Sequence, residues 1–169
     1  MAEARALVAD VPARRGRWLM TREAWEALEA DAARLTEEAQ RREGFITGRL
    51  DGEPDAPVFV PNVSGQQIRR QLATLREVLA TAEIVEEAGV AVIGRRVTLD
   101  DGEEQATYAL VPPGSGDPDN GFISADSPVG RAVLGARVGE EVTIQAPGGR
   151  WTARVVKVEQ GGVRPRPGR

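Results

Sequence analysis

Residues 21–42, TREAWEALEADAARLTEEAQRR, carry a helical pattern that sets the architecture of the N-terminal half of the chain. Thr21 is an N-cap candidate, because its hydroxyl can accept a hydrogen bond from an unpaired backbone N–H of the first turn. Met20 and Trp25 fall at the two positions of a hydrophobic staple. Apolar residues then recur at spacings of three and four, which is typical of a coiled-coil seam. The seam residues are Trp25, Leu28, Ala32, Leu35 and Ala39.

A second helix with the same seam is predicted from Ser64 onward. Ser64 and Gln67 match the capping-box pattern that marks a helix start. Its seam residues are Ile68, Leu72, Leu75, Leu79 and Ala82. Two seamed helices joined by a short connection are expected to pack against each other in opposite directions. The sequence therefore predicts an antiparallel α-helical coiled coil over residues 19–83, which projects as a hairpin from the rest of the protein.

The connection between the two helices is residues 46–63, ITGRLDGEPDAPVFVPNV. Its three prolines are incompatible with a continuous helix. Asp51, Glu53 and Asp55 stand at alternate positions of this predicted tip and are followed by the apolar residues 58–60. Carboxylates at the far end of a long hairpin indicate a functional role, so these three residues are candidate effector residues. A solvated acidic loop without a ligand is the alternative interpretation.

The C-terminal half alternates in the manner of short strands, with Gly and Pro between them. We expect antiparallel strands over residues 91–99, 105–111, 141–145 and 151–158, with turns at 100–102 and 147–149. Ser127 and Pro128 predict the start of one short helix, which Gly135 ends. The fold class is therefore α+β, with a small sheet domain over residues 84–159. Residues 1–18 and 160–169 lack periodicity and are expected to be flexible tails.

Composition excludes several classes of function. The 169 residues contain no Cys and no His, which removes disulfides, thiolate zinc sites, cysteine nucleophiles and histidine acid–base catalysis. The net charge of −4 argues against a direct nucleic-acid binder that relies on neutralising phosphates. No apolar run approaches the roughly 20 residues of a membrane span or the pattern of a signal peptide. We expect a cytoplasmic protein.

The order of motifs resembles one known family. Residues 75–99, LREVLATAEIVEEAGVAVIGRRVTL, are similar to the end of the coiled coil and the domain junction of bacterial Gre transcript-cleavage factors. Residues 122–135, FISADSPVGRAVLG, resemble the C-terminal helix signature of that family. The segments 138–142 and 147–149 follow in the family's order. The resemblance covers residues 19–159 and is absent at the tip.

The resemblance implies an FKBP-like C-terminal domain that binds bacterial RNA polymerase at the rim of its secondary channel. It assigns polymerase binding to Asp126, Ser127 and Pro128. It also implies that the coiled coil enters the channel and that the tip carboxylates share a Mg²⁺ ion with the polymerase. The protein would then be a monomeric regulator without a cofactor or an active site of its own. Because the Pro-rich tip differs from that of the cleavage factors, we expect inhibition of transcription rather than stimulated cleavage.

Three alternatives remain open from the sequence. The first is a transcript-cleavage factor of the Gre type. The second is a regulator of nucleoside diphosphate kinase like the Rnk proteins, which resemble Gre factors but have shorter coiled coils. The first seam here, with a continuation to Ile46, would span on the order of 25–35 Å. The third is a peptidyl-prolyl isomerase of the FKBP type. Against it, three Phe, three Trp and one Tyr offer little material for an aromatic proline pocket.

Overall fold

The computed structural model describes residues 17–42 and 63–161 of the chain. The predicted tip residues Asp51, Glu53 and Asp55 therefore lie outside the described residues. The helices are α1 (Arg22–Arg42), α2 (Val63–Ala80) and α3 (Pro128–Val133). The strands are β1 (Trp18–Met20), β2 (Ala82–Ile84), β3 (Arg95–Asp100), β4 (Gln105–Val111), β5 (Phe122–Ser124), β6 (Glu141–Ala146) and β7 (Gly149–Gln160). No helix among these is both long and apolar enough to cross a lipid bilayer.

Helices α1 and α2 pack against each other through most of the predicted seam residues, although the last one, Ala82, begins β2 instead of ending α2. Ala32 and Leu35 of α1 form a buried cluster with Ile68 and Leu72, from the first half of α2. Nearer the start of α1, Leu28 instead shares a buried cluster with Val78, near the end of α2. Because the contacts run in opposite order along the two helices, the pair is antiparallel.

The two helix starts differ in how well the sequence predicts them. The N-cap at Thr21 is confirmed, because its hydroxyl oxygen accepts a hydrogen bond from the Ala24 N–H at 3.1 Å. The predicted start of α2 at Ser64 is wrong, since the helix already includes Val63. The first four N–H groups of an α-helix have no intrahelical partner, wherever the helix begins. The helix can therefore begin one residue earlier without leaving a further N–H group unpaired.

A short parallel pair of strands joins the helices to the rest of the protein. Trp18, which the sequence places in the N-terminal tail, begins β1 and pairs with Ala82 of β2. Met20 ends β1 and is fully buried against Ile93 and Ala125 of the C-terminal half. The base of α1 is thus packed onto the sheet domain by an apolar contact that the seam pattern does not predict.

The main sheet has the strand order β5-β4-β3-β7-β6. Three of its pairings are antiparallel as expected, but β4 and β5 pair in parallel, so the predicted all-antiparallel sheet is wrong. The predicted strand over residues 91–99 is also wrong in its first half. Gly94 adopts a φ of +98°, which interrupts an extended strand. Residues Val90 and Ile93 instead form single bridges to Arg137 and Met20.

Helix α3 packs on one face of this sheet and closes the core of the domain. Its predicted N-cap is confirmed, because the Ser127 Oγ accepts a hydrogen bond from the Gly130 N–H at 3.0 Å. Gly135 follows the helix with a φ of +86°, as a residue at this position requires. A side chain at Gly130 would collide with the Ser124 carbonyl oxygen. The helix therefore lies directly on the end of β5, and this close packing positions its first turn.

Candidate functional site

A groove of about 530 Å³ lies beside the first turn of α3. Most of its wall is apolar, and the larger apolar side chains are those of Tyr108, Pro118, Ile123, Pro128, Val129 and Trp151. Its polar side chains are those of Ser124, Asp126 and Ser127. Grooves with an apolar floor and a few polar groups at the edge are typical of binding sites for ligands or for partner segments.

The two aromatic residues of the groove come from different strands of the sheet. Tyr108 lies opposite Val97 in the β3–β4 pair, on the face that α3 covers. Trp151 lies opposite the buried Ile144 in the β6–β7 pair. Trp151 nevertheless keeps 38% of its surface exposed. A partly exposed Trp in an apolar groove is a typical anchor point of a protein interface.

The single carboxylate of the groove is held by its neighbours. Asp126 accepts a short hydrogen bond from the Ser124 hydroxyl. That hydroxyl oxygen in turn accepts a hydrogen bond from the Gly114 N–H at 3.1 Å. Asp126 is partly exposed, and no cation among the described residues forms an ion pair with it. A positioned carboxylate without a cation can accept a hydrogen bond from a basic partner group.

The predicted binding residues Asp126, Ser127 and Pro128 are all part of this groove. Each has a separate structural task. Asp126 accepts a hydrogen bond from Ser124, Ser127 caps α3, and Pro128 is exposed at the first position of the helix. The cap therefore fixes the backbone from which the exposed ring of Pro128 projects.

Tyr108 and Trp151 were missed by reasoning from the sequence. Their alternation within β4 and β7 predicts only that they face the core, not that they meet at one groove. The scarcity of aromatic residues argues against an aromatic pocket, but two of these few residues line this one. Trp151 stands two residues after the Gly149 that begins β7. This position near the start of a strand is the feature of the sequence that indicates a partly exposed ring.

Two carboxylates outside the groove, at the turn after β3, have lowered pKa values and structural partners. Hydrogen bonds from the Gln105 side chain and the Gly102 N–H lower the pKa of Asp100. Hydrogen bonds from the backbone N–H groups of Glu104 and Glu103 likewise lower the pKa of Asp101. These bonds confirm the turn predicted at residues 100–102. Within residues 17–42 and 63–161, no group of three or more Asp or Glu side chains could hold a metal ion.

Comparison with known proteins gives matches centred on the C-terminal domain. Residues 86–160 match the family model described as transcription elongation factor, GreA/GreB, C-term. The chain is 38% identical over 98 residues to transcription elongation factor GreA of Bacillus licheniformis, an alignment that covers 54% of this chain and 61% of the relative. The GreA of Bacillus subtilis is 38% identical over 97 residues with the same coverage. The chain thus spans about three fifths of the length of these relatives.

Solved structures of similar proteins include GreA factor homolog 1 (Gfh1) of Thermus thermophilus. It is 27% identical, and the superposition covers 85% of this chain and 99% of that one with a TM-score of 0.37. A GreA/GreB factor from Nitrosomonas europaea is 23% identical with coverages of 85% and 99% and a TM-score of 0.42.

Proposed function

We propose that this chain is a regulator of the GreA/GreB type that binds bacterial RNA polymerase and regulates transcription; the match of residues 86–160 to the family model and the 38% identity to a GreA relative support this. The groove beside Asp126 is the proposed contact. One observation carries this assignment: Asp126, Ser127 and Pro128 line an apolar groove with a partly exposed Trp151, inside the segment that matches the family model. The regulator would act on the active site of the polymerase rather than through one of its own.

The chemistry of the groove defines the polymerase surface that would fit it. Tyr108, Val129 and Trp151 offer apolar and aromatic surface. Asp126 offers one carboxylate. We therefore expect a polymerase segment that inserts an apolar side chain into the groove and places an Arg or Lys beside Asp126. The apolar contact would supply most of the affinity, and the charge pair would fix the orientation.

The remainder of the proposal concerns the helices. We propose that α1 and α2 form the coiled coil that enters the secondary channel with Asp51, Glu53 and Asp55 at its end. There the three carboxylates would share the Mg²⁺ ion of the polymerase, because Mg²⁺ binds such oxygens and keeps open positions for them. The Pro-rich sequence around them supports inhibition as the outcome, with stimulated transcript cleavage as the second candidate.

A binding measurement tests the proposed contact. Fluorescently labelled protein is titrated with purified bacterial RNA polymerase, and anisotropy reports the dissociation constant. Asp126→Arg should weaken binding at least tenfold, because it sets a cation against the basic partner group and removes the acceptor. Asp119→Arg is the matched control, since Asp119 is exposed on the neighbouring turn but does not line the groove. Equal affinity of both variants and the parent would contradict the assignment.

A second measurement separates inhibition from stimulated cleavage. Stalled elongation complexes with labelled RNA are incubated with the protein and Mg²⁺, and the RNA is separated by size. Inhibition predicts slower extension without shortened RNA. Release of short 3′ fragments, and renewed extension afterwards, would instead show a cleavage factor.

A further inference from the structure

Arg95 is a charged residue in the interior of the protein that the proposed contact with the polymerase does not use. It begins β3, and only 4% of its surface is exposed. Its guanidinium donates hydrogen bonds to three backbone carbonyl oxygens, those of Glu86 at 3.2 Å, Glu87 at 2.5 Å and Val90 at 2.9 Å. Among the described residues, no carboxylate forms an ion pair with it. Burial of a cation costs free energy unless it is paired or hydrogen-bonded, and here backbone carbonyls accept three hydrogen bonds from the guanidinium.

The three carbonyls belong to residues 85–94, which connect β2 to β3. This segment is the covalent link from the helices to the sheet domain. Its ends are fixed by backbone hydrogen bonds, from the Val85 N–H to Met20 and from the Ile93 N–H to Leu19, both at 2.9 Å. Residues 86–88 between them are exposed. Glu87 and Glu86 form surface ion pairs with Arg137 and Arg22. Further along the connection, the Gly89 carbonyl accepts a hydrogen bond from the Val138 N–H at 3.0 Å, and Ala91 exchanges backbone hydrogen bonds with residues 135 and 136. The guanidinium is the one buried side chain among the described residues that binds the carbonyls of the exposed residues 86 and 87.

The residue beside Arg95 touches the base of α1. A Cβ atom added at Gly94 would lie 2.5 Å from the Thr21 Oγ1 and 2.9 Å from the Ala24 Cβ. The Thr21 N–H also donates to the Ile93 carbonyl at 2.9 Å. The start of α1 is therefore seated directly on the backbone that leads into Arg95. The connection, the sheet and the helix base all meet within one or two residues of this side chain.

We propose that Arg95 is a positioning residue that fixes the direction in which α1 and α2 leave the sheet domain. The planar guanidinium has several donors in a fixed arrangement, so one side chain can bind three carbonyls in a single geometry. That geometry sets the shape of the connection and thereby the seat of the helix base. The functional consequence rests on the proposed function, because only a protein that inserts its helices into a channel depends on their direction.

The direction of the helices can be measured by pulsed electron paramagnetic resonance. The sequence contains no Cys, so spin labels at Ala33→Cys on α1 and Gln145→Cys on β6, both exposed, report without background. We expect a narrow distance distribution in the parent protein. Arg95→Met keeps the length of the side chain but removes the donors, and it should at least double the width of that distribution. The matched control is Arg96→Met, because Arg96 is exposed and adjacent; it should leave the distribution unchanged.

A second variant keeps the test decisive if Arg95→Met fails to fold. Arg95→Lys retains a charge and fewer donors in a less rigid arrangement. Amide hydrogen exchange of residues 86–93 should rise at least tenfold in this variant, while the amides of β4 and β6 keep their protection. A broad distribution in the parent, an unchanged one in Arg95→Met, or unchanged exchange in Arg95→Lys would each overturn the proposal.

Polymerase assays distinguish this proposal from the proposed function. The groove is intact in Arg95→Met, so its affinity for RNA polymerase should stay within twofold of the parent. Its effect on transcription at saturating concentration should fall at least fivefold, because the helices no longer point in one direction. If the parent does not bind polymerase, the proposed function fails while the distance measurement still tests Arg95. An unchanged effect on transcription together with a broadened distribution would overturn the functional part of this inference.

Discussion

Trp151 gives the groove a large aromatic surface that remains partly open to solvent. Because 38% of the side chain is exposed, its removal should cost less folding stability than removal of a core residue. Trp151→Ala is expected to weaken polymerase binding about tenfold, as anchors of this kind do at interfaces. Anisotropy titration measures the affinity, and urea unfolding measures the stability. Arg150→Ala is the control, since the exposed Arg150 precedes Trp151 but does not line the groove; a larger loss with that variant would contradict the assignment.

Glu87 lies in the connection between β2 and β3, and its carboxylate forms an ion pair with Arg137. The hydrogen bond from the Arg137 guanidinium, with the charge of Arg137, lowers the pKa of Glu87 below its ordinary value of 4.5. A carboxylate with a lowered pKa in the folded state stabilises the fold at higher pH, and this contribution is lost as the pH falls below about 4.5. Glu87→Gln should therefore make unfolding less pH-dependent in that acidic range.

Urea unfolding at pH 6.5 and at several values below 4.5 checks this prediction. The midpoint difference between the parent and Glu87→Gln should shrink as the pH falls. Glu103→Gln, at an exposed position of the turn after β3, is the control. A difference that stays constant over the whole range would show that the ion pair does not contribute to the pH dependence.

At the scale of elements, the first turn of α3 couples stability to the groove. The Ser127 cap accepts the Gly130 N–H and fixes the backbone at Pro128. Ser127→Ala should destabilise the domain by about 1 kcal/mol and weaken polymerase binding severalfold. Ser127→Asp restores an acceptor at the cap and should recover most of the stability. Urea unfolding and anisotropy check the two effects, and full stability of Ser127→Ala would show that the cap is dispensable.

The elements also show what the sequence could and could not predict. The first seam, the turn at residues 100–102 and the cap at Ser127 follow from local chemistry, and the structure agrees with each of them. The second seam is confirmed only in part, because its last residue, Ala82, begins β2 and the buried Val78 lies outside it. Strands β1, β2 and β5 have three residues each, which is too few for an alternating pattern. The apolar run of residues 90–93 resembles a buried strand, but its partners are Met20 and Arg137, far away in the sequence.

The residues of the groove could be predicted from the sequence only in part, because some are neighbours in the chain and others meet only in the fold. Asp126, Ser127 and Pro128 are consecutive, so one motif finds them together. Tyr108 and Trp151 are 43 positions apart in sequence and come together only through strand pairing across the sheet. Arg95 was missed as well, because the pair Arg95-Arg96 does not reveal in the sequence which of the two is buried.

At the scale of the whole molecule, we expect polymerase affinity and the effect on transcription to depend on different residues. If the groove supplies the affinity and the tip supplies the effect, changing Asp51, Glu53 and Asp55 to Asn, Gln and Asn should leave polymerase affinity within twofold. The same triple variant should lose most of the inhibition, because amides bind Mg²⁺ far more weakly than carboxylates do. Run-off transcription at saturating protein measures the effect, and anisotropy measures the affinity. Asp126→Arg is the complementary control: it should lose inhibition at low protein concentration and regain it at high concentration. Full inhibition by the triple variant would mean that the protein acts by filling the channel rather than through its acidic residues.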